Sequence, residues 1–455
     1  MRESTNSRQT HRWRVGAGLL TPLTAICAAA ALASCDGSGT PQLNACSSRQ
    51  AAEGAIGPAS PPQPFVGLVA AQQGAPAVLA RLDPSSLRPV SGQVRVAEYH
   101  NAWSLSPDET EVALGVSAGE SVLARSQAPA RRIGMYIVDL RTMQVVKEVQ
   151  TGVAAEAVGW LRPRRVVAAL QRGGTVLVDP LTGRVIRRWP SFSFPDESAL
   201  TPSGLVLLLP RLRESAPNLP LTRVTGPPRV AVVDYRGRLR SASLGQLRLV
   251  VHTRGGIIYE DRAGLAVDAA HGRAYVVAPG ARIAVVDLRT MRASYVNVAE
   301  AEPPKPGAAG QRGVLWLGDD RIAVYGRDIG GASGTTPAGV MVVNTRDWRA
   351  CVLDRQASAA IVADNRILAY GPGSPVSADE PGTGLRAYAL DGADAYHDLG
   401  DREIRDVEVA GGRAYVRTPD ALYAVDVVSG AIQATIRPAR DLVDVIGRRR
   451  ARTTR

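Results

Sequence analysis

The segment Val138-Asp139-Leu140-Arg141-Thr142-Met143 returns as Val286-Asp287-Leu288-Arg289-Thr290-Met291, 148 residues further along the chain. A second repeated pair, Gly-Arg-Ala-Tyr-Val, occupies 272–276 and 412–416. In the hexapeptides, each Val-Asp ends a short apolar run and is followed by turn-forming residues. Recurrence of this kind indicates a chain built from similar modules rather than from one irregular fold.

The strand–Asp–turn pattern recurs throughout the chain from Phe65 onward, in weaker copies. Together with the two strong copies it gives eight units, spaced 35 to 57 residues apart. The weaker copies are Leu82-Asp83, Val178-Asp179, Val233-Asp234, Val343-Asn344, Leu390-Asp391 and Val425-Asp426. All-strand repeats of about 40–55 residues are typical of the blades of a β-propeller.

Each unit has the composition expected of a sheet buried on both faces. The run Ile283–Val286 is continuously apolar, as in a strand packed between two neighbouring sheets. Asp287 then ends the strand, where a carboxylate can accept hydrogen bonds from the amides of the turn. Glycine marks the corresponding turns at Thr182-Gly183, Arg236-Gly237 and Ser429-Gly430. Pro107, in Ser106-Pro107-Asp108, and Pro202 mark the turns between the first two strands of a blade.

A closed ring would leave no apolar face exposed at either end of the array. The segment Asp441–Gly447 follows the last full unit as a lone strand, whereas the first unit lacks its innermost strand. We therefore predict an all-β propeller over 65–447, with eight four-stranded blades, or alternatively seven, closed by the C-terminal strand. The short interval between Asp391 and Asp426 keeps the seven-bladed alternative open.

Four connections between predicted strands are longer than the rest. Such loops project from one rim of a propeller, where binding usually resides. They are Ser117–Arg132, Arg211–Pro228, Asp328–Ala338 and Gly371–Gly384.

The repeated segments resemble the YVTN-type β-propellers of bacterial and archaeal surface and periplasmic proteins. The likeness rests on Tyr275-Val276 followed by Val286-Asp287, and on Tyr415-Val416 followed by Val425-Asp426 and Ser429-Gly430. The Thr-Asn that follows in that family is missing in both copies. Ser106-Pro107-Asp108 also resembles the Ser-Pro-Asp turn of TolB-like and WD40-like propellers. The resemblance implies the fold, but it does not imply one function, since this fold hosts binders, scaffolds and enzymes.

Composition fits a folded protein and argues against a nucleic-acid partner. The 455 residues are 45% hydrophobic, which is enough to build a packed core. The formal net charge of +12 comes mainly from arginines spread along the whole chain. A nucleic-acid site would instead cluster basic residues and interleave aromatic ones.

The N-terminus has the layout of an export signal. A cationic start (Arg2, Arg8, Arg12, Arg14) precedes an apolar stretch from Val15 to Leu32. The stretch ends in Leu32-Ala33-Ser34-Cys35, which resembles the bacterial lipobox. That resemblance implies a signal peptide at 1–34 and a palmitate-type lipid on Cys35, and hence a lipoprotein on the outer face of the cell membrane. An ordinary secretory signal with an incidental cysteine is the alternative.

Residues beyond the signal divide into a tether, the propeller and a short tail. Residues 35–64 are rich in Gly, Ser, Pro and Ala and have too few large apolar side chains to fold, so we predict a disordered tether. Residues 448–455 form a basic C-terminal tail. With Cys27 in the signal and Cys35 lipidated, Cys46 and Cys351 are left in an oxidising compartment, where we predict a disulfide between them. Two unpaired thiols are the alternative.

We assign no catalytic residue, no metal ligand and no cofactor from the sequence. His100, His252, His271 and His397 do not stand at metal-ligand spacing. The leading hypothesis is a monomeric, non-enzymatic lipoprotein whose propeller rim binds an envelope protein or a cell-envelope polymer. The alternative is a lactonase-like or glycan-acting hydrolase with carboxylates at the central channel. Its candidate residues, near predicted first strands, are Glu156, Asp196, Asp268, Asp364 and Glu408.

Overall fold

The computed structural model describes residues 64–446 apart from short gaps within that range. The gaps are 71–76, 97–101, 116–132, 162–164, 171–172, 193–194, 211, 214–221, 224–226, 255–256, 281, 299–307, 332–333, 372–382, 401 and 438–440. The described residues all belong to one compact unit, Leu43–Arg455. Within these ranges there is no helix of the length and apolarity that a bilayer crossing requires. The predicted signal peptide, tether and tail lie outside the described residues.

The described chain folds into eight antiparallel four-stranded sheets, which are the eight blades of a β-propeller. The eight-bladed prediction is therefore confirmed. Blade 1 contains β36 (Asp441–Ile446), β1 (Phe65–Ala70), β2 (Ala77–Leu82) and β3 (Pro89–Val96). Blade 2 contains β4 (Trp103–Leu105), β5 (Glu111–Gly115), β6 (Ile133–Asp139) and β7 (Gln144–Gln150). Blade 3 contains β8 (Ala155–Leu161), β9 (Arg165–Leu170), β10 (Thr175–Asp179) and β11 (Arg184–Trp189).

Blades 4 and 5 each have an additional two-stranded hairpin nearby. Blade 4 contains β12 (Glu197–Thr201), β13 (Gly204–Leu209), β16 (Arg229–Val233) and β17 (Leu239–Ser243), with the hairpin β14 (Leu212–Arg213) and β15 (Thr222–Arg223) between its second and third strands. A second hairpin, β18 (Val251–Arg254) and β19 (Ile257–Glu260), precedes blade 5. Blade 5 contains β20 (Gly264–Asp268), β21 (Arg273–Val277), β22 (Arg282–Asp287) and β23 (Arg292–Asn297).

The last three blades follow without additional hairpins. Blade 6 contains β24 (Ala309–Gly318), β25 (Arg321–Gly331), β26 (Gly334–Asn344) and β27 (Ala350–Asp354). Blade 7 contains β28 (Ala359–Ala363), β29 (Arg366–Tyr370), β30 (Leu385–Ala389) and β31 (Asp394–Asp398). Blade 8 contains β32 (Asp406–Ala410), β33 (Arg413–Arg417), β34 (Leu422–Asp426) and β35 (Ile432–Ile436).

Strand β36 closes the ring. It pairs antiparallel with β1, from Val66 opposite Ile446 to Ala70 opposite Asp441, and so forms the innermost strand of blade 1. The C-terminal strand thus completes the N-terminal blade, as predicted. Since both chain ends share one sheet, opening the ring requires breaking that sheet.

The core is divided into eight apolar clusters, one at each interface between neighbouring blades. Strand β13 shows how one strand serves two clusters. Leu205, Leu207 and Leu209 face blade 3, while Val206 and Leu208 face blade 5. Successive side chains of a strand point to opposite sheet faces, so a strand buried on both sides must be apolar throughout.

The repeated Asp or Asn residues all stand at the end of the third strand of a blade or within two residues after it. Asp287 Oδ1 accepts hydrogen bonds from the amides of Arg289 and Thr290 at 2.9 and 2.7 Å. These bonds, with that of Thr290 first, hold the pKa of Asp287 below its ordinary value. Asn344 caps its own turn in the same way, through a 2.8 Å bond to the Arg346 amide. The predicted Asx-type turn is confirmed.

The fourth residue after the capping side chain adopts a left-handed backbone in six blades. Glycine fills this position at Gly183 and Gly430, whose φ values are 71° and 78°. In the other four blades the position is held by Leu87, Met143, Met291 and Trp348, with φ between 53° and 60°. Larger side chains are kept there although they prefer other backbone conformations, because they pack into or against the core.

Strand direction gives the ring two different faces. Since the strands of a blade alternate in direction, the connection between its second and third strands opens on the same face as the connection to the next blade. We call this the upper face. The turns that join the first to the second strand, and the third to the fourth, lie on the opposite, lower face.

On the lower face, arginine side chains join neighbouring blades at five of the eight interfaces. In each case a guanidinium donates a hydrogen bond to a backbone carbonyl in the third-strand turn of the following blade. The pairs are Arg81 with Leu140 (3.4 Å), Arg187 with Gly237 (3.2 Å), Arg240 with Arg289 (2.6 Å), Arg321 with Leu390 (3.0 Å) and Arg413 with Pro84 (3.1 Å). Part of the arginine excess therefore has a structural role in the ring.

Candidate functional site

All four long connections identified in the sequence join the second strand of a blade to its third, so all four open on the upper face. Three of them lie mostly outside the described residues. The fourth, Asp328–Ala338, was predicted to be a loop, and this is wrong for most of its length. Its described residues belong to β25 and β26, which pair as far as Gly331 opposite Gly334.

Blade 6 is extended on the upper face. Strands β24, β25 and β26 have 10, 11 and 11 residues, while the other described strands have eight or fewer. The unbroken register from Ala309 opposite Ile329 to Trp316 opposite Ile322 shows that the extra residues prolong one ladder. Their upper halves therefore stand above the ring, beginning with the innermost strand β24 at the mouth of the channel.

The hairpin β18–β19 is attached to this extension. Arg262 forms a parallel bridge with Gln311, through bonds from the Arg262 amide to Gly310 O and from the Arg312 amide to Arg262 O (2.9 and 3.0 Å). The buried carboxylate of Asp261 accepts a 2.9 Å bond from the amide of Gly310. We call the hairpin, residues 261–263 and the upper halves of β24–β26 the upper platform.

A glycine allows the hairpin to approach the tip of blade 6. Gly330 has a φ of 88°, and a Cβ atom there would lie 2.8 Å from the ring of Tyr259. A larger residue would both strain the backbone and push the hairpin away. The upper platform is therefore a built structure, held by main-chain pairing, a buried carboxylate and a close ring contact.

One charge pair is buried inside the platform. Arg312 donates to Asp328 Oδ1 at 2.8 Å, with the two side chains 7% and 9% exposed. The same guanidinium donates to the carbonyl of Arg327 at 3.2 Å. Paired and hydrogen-bonded in this way, Arg312 and Asp328 compensate each other's burial, and removal of either one would leave an uncompensated charge inside the extension.

Three polar side chains lie side by side on the other face of the extended sheet: Arg262, Gln311 and Arg327. Gln311 is bridged to Arg262 on one side and paired with Arg327 on the other. We call this set the arginine row. Arg327 Nε donates to Gln311 Oε1 at 3.1 Å, and burial, followed by the charge of Arg262, lowers the pKa of Arg327. Within the described part of the chain, neither arginine forms an ion pair.

The five carboxylates proposed for the hydrolase alternative stand at different heights around the channel. Glu156 and Glu408 lie on the innermost strands β8 and β32, and Asp196 lies just before β12. Asp268 and Asp364 lie instead at lower-face turns. Asp268 accepts bonds from the Ala270 and His271 amides at 3.1 and 3.2 Å and from the ring of His271 at 2.6 Å, so it acts as a turn former.

Over the described ranges, no group of three or more His, Cys, Asp or Glu side chains is arranged to hold a metal ion. Of the histidines, His271 bonds to Asp268 and His397 lies 3.2 Å from the carbonyl of Thr383. His100 and the side chain of His252 lie outside the described residues.

The predicted anchor and disulfide fall only partly on the described chain. Cys351 lies in β27, the outermost strand of blade 6, and is disulfide-bonded. Cys35 and Cys46 lie outside the described residues, so the lipid on Cys35 and the pairing of Cys46 with Cys351 stay predictions.

A Gly-x-Ser-x-Gly spacing, which sequence reasoning missed, occurs at 115–119. In hydrolases with a nucleophile elbow, the serine stands on a sharp turn from a strand into a helix. Here Gly115 ends β5, and the next described element is the antiparallel strand β6. Ser117 itself lies outside the described residues, within an upper-face connection.

Comparison with known proteins supports the fold and leaves function open. No protein-family model matches the chain. No curated protein matches it either. Among solved structures, the chain is similar to dihydro-heme d1 dehydrogenase NirN, with 12% identity, a TM-score of 0.52 and coverage of 85% of this chain and 78% of that one.

Two further solved structures cover most of their own length. Sqt1 of Saccharomyces cerevisiae matches with 8% identity and a TM-score of 0.48, over 74% of this chain and 85% of that one. BamB from Moraxella catarrhalis matches with 11% identity and a TM-score of 0.40, over 77% and 92%. At such identities a structural likeness concerns the fold alone, so the chain is an eight-bladed β-propeller whose function has to be argued from its own surfaces.

Proposed function

We propose that this protein is an exported lipoprotein, held at the outer face of the cell membrane by Cys35, whose propeller binds an envelope protein or polymer through its upper face. The propeller serves as a non-enzymatic binding scaffold. Lipobox-like residues at 32–35 support the anchor, and the asymmetry of the two propeller faces supports the binding role.

That asymmetry is the observation on which the binding role depends. The lower face consists of short turns, closed by their own Asx bonds and by arginines that join the blades. On the upper face the described chain adds the hairpin β14–β15 and the upper platform, which includes the hairpin β18–β19 and the extended strands of blade 6. Side chains for recognition are therefore available mainly on the upper face, and loops on a rigid scaffold are the usual place for binding residues.

Photocrosslinking in intact cells tests the upper face directly. A photoreactive amino acid placed at Thr336, in the upper half of β26 on the upper platform, is expected to give a discrete crosslinked product with an envelope component. The matched lower-face position is Ser429, in the third-strand turn of blade 8, which is expected to give no product. Equal products from the two positions, or a product from Ser429 alone, would exclude upper-face binding.

Replacing Cys35 tests the anchor separately. Cys35→Ser removes the only thiol at the lipobox-like position, so the full chain is expected to move from the membrane fraction to the soluble fraction. A single lipid chain gives only marginal membrane binding, and stable anchoring needs more than one signal. Fractionation of cells before and after a high-salt wash measures how much of the protein is bound to the membrane. Cys351→Ser is the control, and membrane association that persists in Cys35→Ser would contradict the anchor.

A further inference from the structure

The arginine row has the properties of an anion-binding site that the fold itself does not use. Many other arginines of the described chain are bonded to turn carbonyls or to carboxylates, as Arg413 and Arg312 are. Arg262 and Arg327 differ from these, since neither forms an ion pair within the described ranges. Their separation is set by the sheet, because each is a direct neighbour of Gln311.

Sheet geometry lets the two guanidinium groups meet over Gln311. Neighbouring strands lie roughly 4.8 Å apart, so the backbones of Arg262 and Arg327 are separated by about 10 Å. Side chains of directly paired residues project from the same face of a sheet. Two arginines of full length, pointing the same way from positions about 10 Å apart, can therefore contact one group placed between them.

Gln311 holds the side chain of Arg327 in place for binding an anion. Its Oε1 accepts the Nε hydrogen of Arg327 at 3.1 Å, which leaves both terminal nitrogens of Arg327 for a ligand. Arg327 is half-buried and Arg262 is exposed, so the row opens to solvent on the Arg262 side. Arg312 and Asp328, on the opposite face of the sheet, are occupied with each other and do not compete.

We propose that Arg262, Gln311 and Arg327 bind a phosphate group carried by the ligand of the upper face. A tetrahedral phosphate presents oxygens in several directions and can accept from two arginine forks that approach from opposite sides. A carboxylate has only two oxygens in one plane, so a second fork would have to share the two oxygens that the first fork already uses. The cation pair also favours a phosphate group, which carries one negative charge as a diester and close to two as a monoester at neutral pH.

This inference rests on the proposed function only for the role of the upper face, and the two can fail separately. Titration calorimetry of the full chain at low ionic strength, with inorganic phosphate and then with acetate, tests the site itself. We expect saturable phosphate binding and at least tenfold weaker acetate binding. Absence of phosphate binding, or acetate binding of equal strength, would overturn the site while leaving the crosslinking result unaffected.

Three substitutions locate the binding. Arg262→Gln and Arg327→Gln are each expected to weaken phosphate binding by roughly tenfold or more, because each removes charged hydrogen bonds. Gln311→Glu places a carboxylate between the two arginines and is expected to abolish binding while leaving the fold intact. Arg292→Gln removes an equal charge from an exposed position on blade 5 and is expected to leave binding within about twofold of the native value. Equal weakening in Arg292→Gln and Arg327→Gln would reduce the effect to net charge and overturn the proposal.

Two polymers then distinguish a phosphate-carrying ligand from an acidic protein segment. Poly(glycerol phosphate) is expected to bind more tightly than poly-glutamate of equal charge, and this preference should disappear in Arg327→Gln. Tighter binding of poly-glutamate would overturn the proposal in favour of an acidic protein segment. Should phosphate bind while crosslinking finds no envelope component, the proposed function would fail and the site would stand.

Discussion

Individual residues contribute most clearly to this fold at the turn after the third strand of each blade. One side-chain oxygen accepts hydrogen bonds from two turn amides that lack a strand partner, as Asp287 does for Arg289 and Thr290. The carboxylate has to be ionised for the strongest bonds, so these turns connect stability to pH. Asn344 shows that an amide can fill the position without any charge.

Acid should therefore destabilise the ring through these turns. The pKa values of Asp139 and Asp287 are lowered from the ordinary 3.8, first by the amide bonds of Thr142 and Thr290 respectively. A lowered pKa in the folded state gives stability that is complete above the unfolded value and is lost as pH falls through the folded value. We expect the melting temperature to be level above about pH 5 and to fall below pH 4.

Two substitutions at Asp287 separate the capping bond from its charge. Asp287→Ala is expected to cost about 1 kcal/mol at pH 7, since both amide bonds are lost at a partly exposed site. Asp287→Asn should lower the free energy of unfolding less than Asp287→Ala at pH 7. It should also make the melting temperature fall less steeply as the pH is lowered. Melting curves between pH 2 and 7 measure both effects, and an acid transition of unchanged slope in Asp287→Asn would contradict this account.

Structural elements repeat in this chain, but the repeats are not equivalent. Tyr275 and Tyr415 hold the same place in the Gly-Arg-Ala-Tyr-Val segment, in the second strands of blades 5 and 8. The Tyr415 hydroxyl donates to Pro84 O of blade 1 at 2.9 Å, and burial raises its pKa to about 12. The Tyr275 hydroxyl has no hydrogen-bond partner among the described residues, and its ring stacks on Trp316 at 5.6 Å.

This difference predicts opposite effects of one substitution at two equivalent positions. Tyr415→Phe is expected to lower the free energy of unfolding by about 1 kcal/mol, because it removes a bond across the ring closure. Tyr275→Phe should be neutral or slightly stabilising, since it removes a buried hydroxyl without a partner. Urea denaturation of both variants measures the difference, and equal losses would show that Tyr275 also has a partner.

Local patterns in the sequence predict individual elements well. They do not predict contacts between residues that are far apart in the sequence. Asp287 and Gly430 could be assigned to turns because their roles depend on a few neighbouring residues. The segment Asp328–Ala338 was misread because its glycines favour a loop, whereas pairing along the extended ladder makes it a hairpin. In the arginine row, Arg262 is bridged to Gln311, which is 49 residues away in the sequence. No repeated pattern in the sequence predicts this contact.

The stability of the whole ring depends on blade 1, since this is where the last strand, β36, pairs with the first, β1. Ile446, the last residue of β36, is 4% exposed and packs in the cluster between blades 1 and 2. Ile446→Ala is expected to cost about 3 kcal/mol, as for a fully buried core position. Ile432, which is 47% exposed on the outer strand of blade 8, is the matched control, and Ile432→Ala should change stability by less than about 0.5 kcal/mol.

Urea midpoints compare the two isoleucine variants. Strands at the end of a chain often fray. If β36 were frayed, Ile446→Ala would cost as little stability as Ile432→Ala. Similar small losses in both variants would therefore mean that β36 does not close the ring in solution. A large loss in Ile446→Ala alone would show that the last strand contributes as much as an internal one.

The predicted disulfide concerns how the ring is joined to the membrane. Cys351 lies near the lower end of the outermost strand of blade 6, opposite Val342. Pairing with Cys46 would hold the end of the tether at that outer, lower edge and leave the upper platform of the same blade open to ligands. In the chain-entropy description, closing a loop of this length stabilises the fold by roughly 5–6 kcal/mol.

Peptide mapping without reduction tests the pairing, and it also tests the anchor. The expected product is one crosslinked peptide that contains Cys46 and Cys351, with a melting temperature that falls on reduction or in Cys46→Ser. Two alkylatable thiols at Cys46 and Cys351 would exclude the bond. A crosslink from Cys351 to Cys35 would exclude more than that, because a sulfur in a disulfide cannot also carry the lipid. The position of one bond thus decides whether residues 35–46 of the tether are held at both ends, by lipid at Cys35 and by the ring at Cys46.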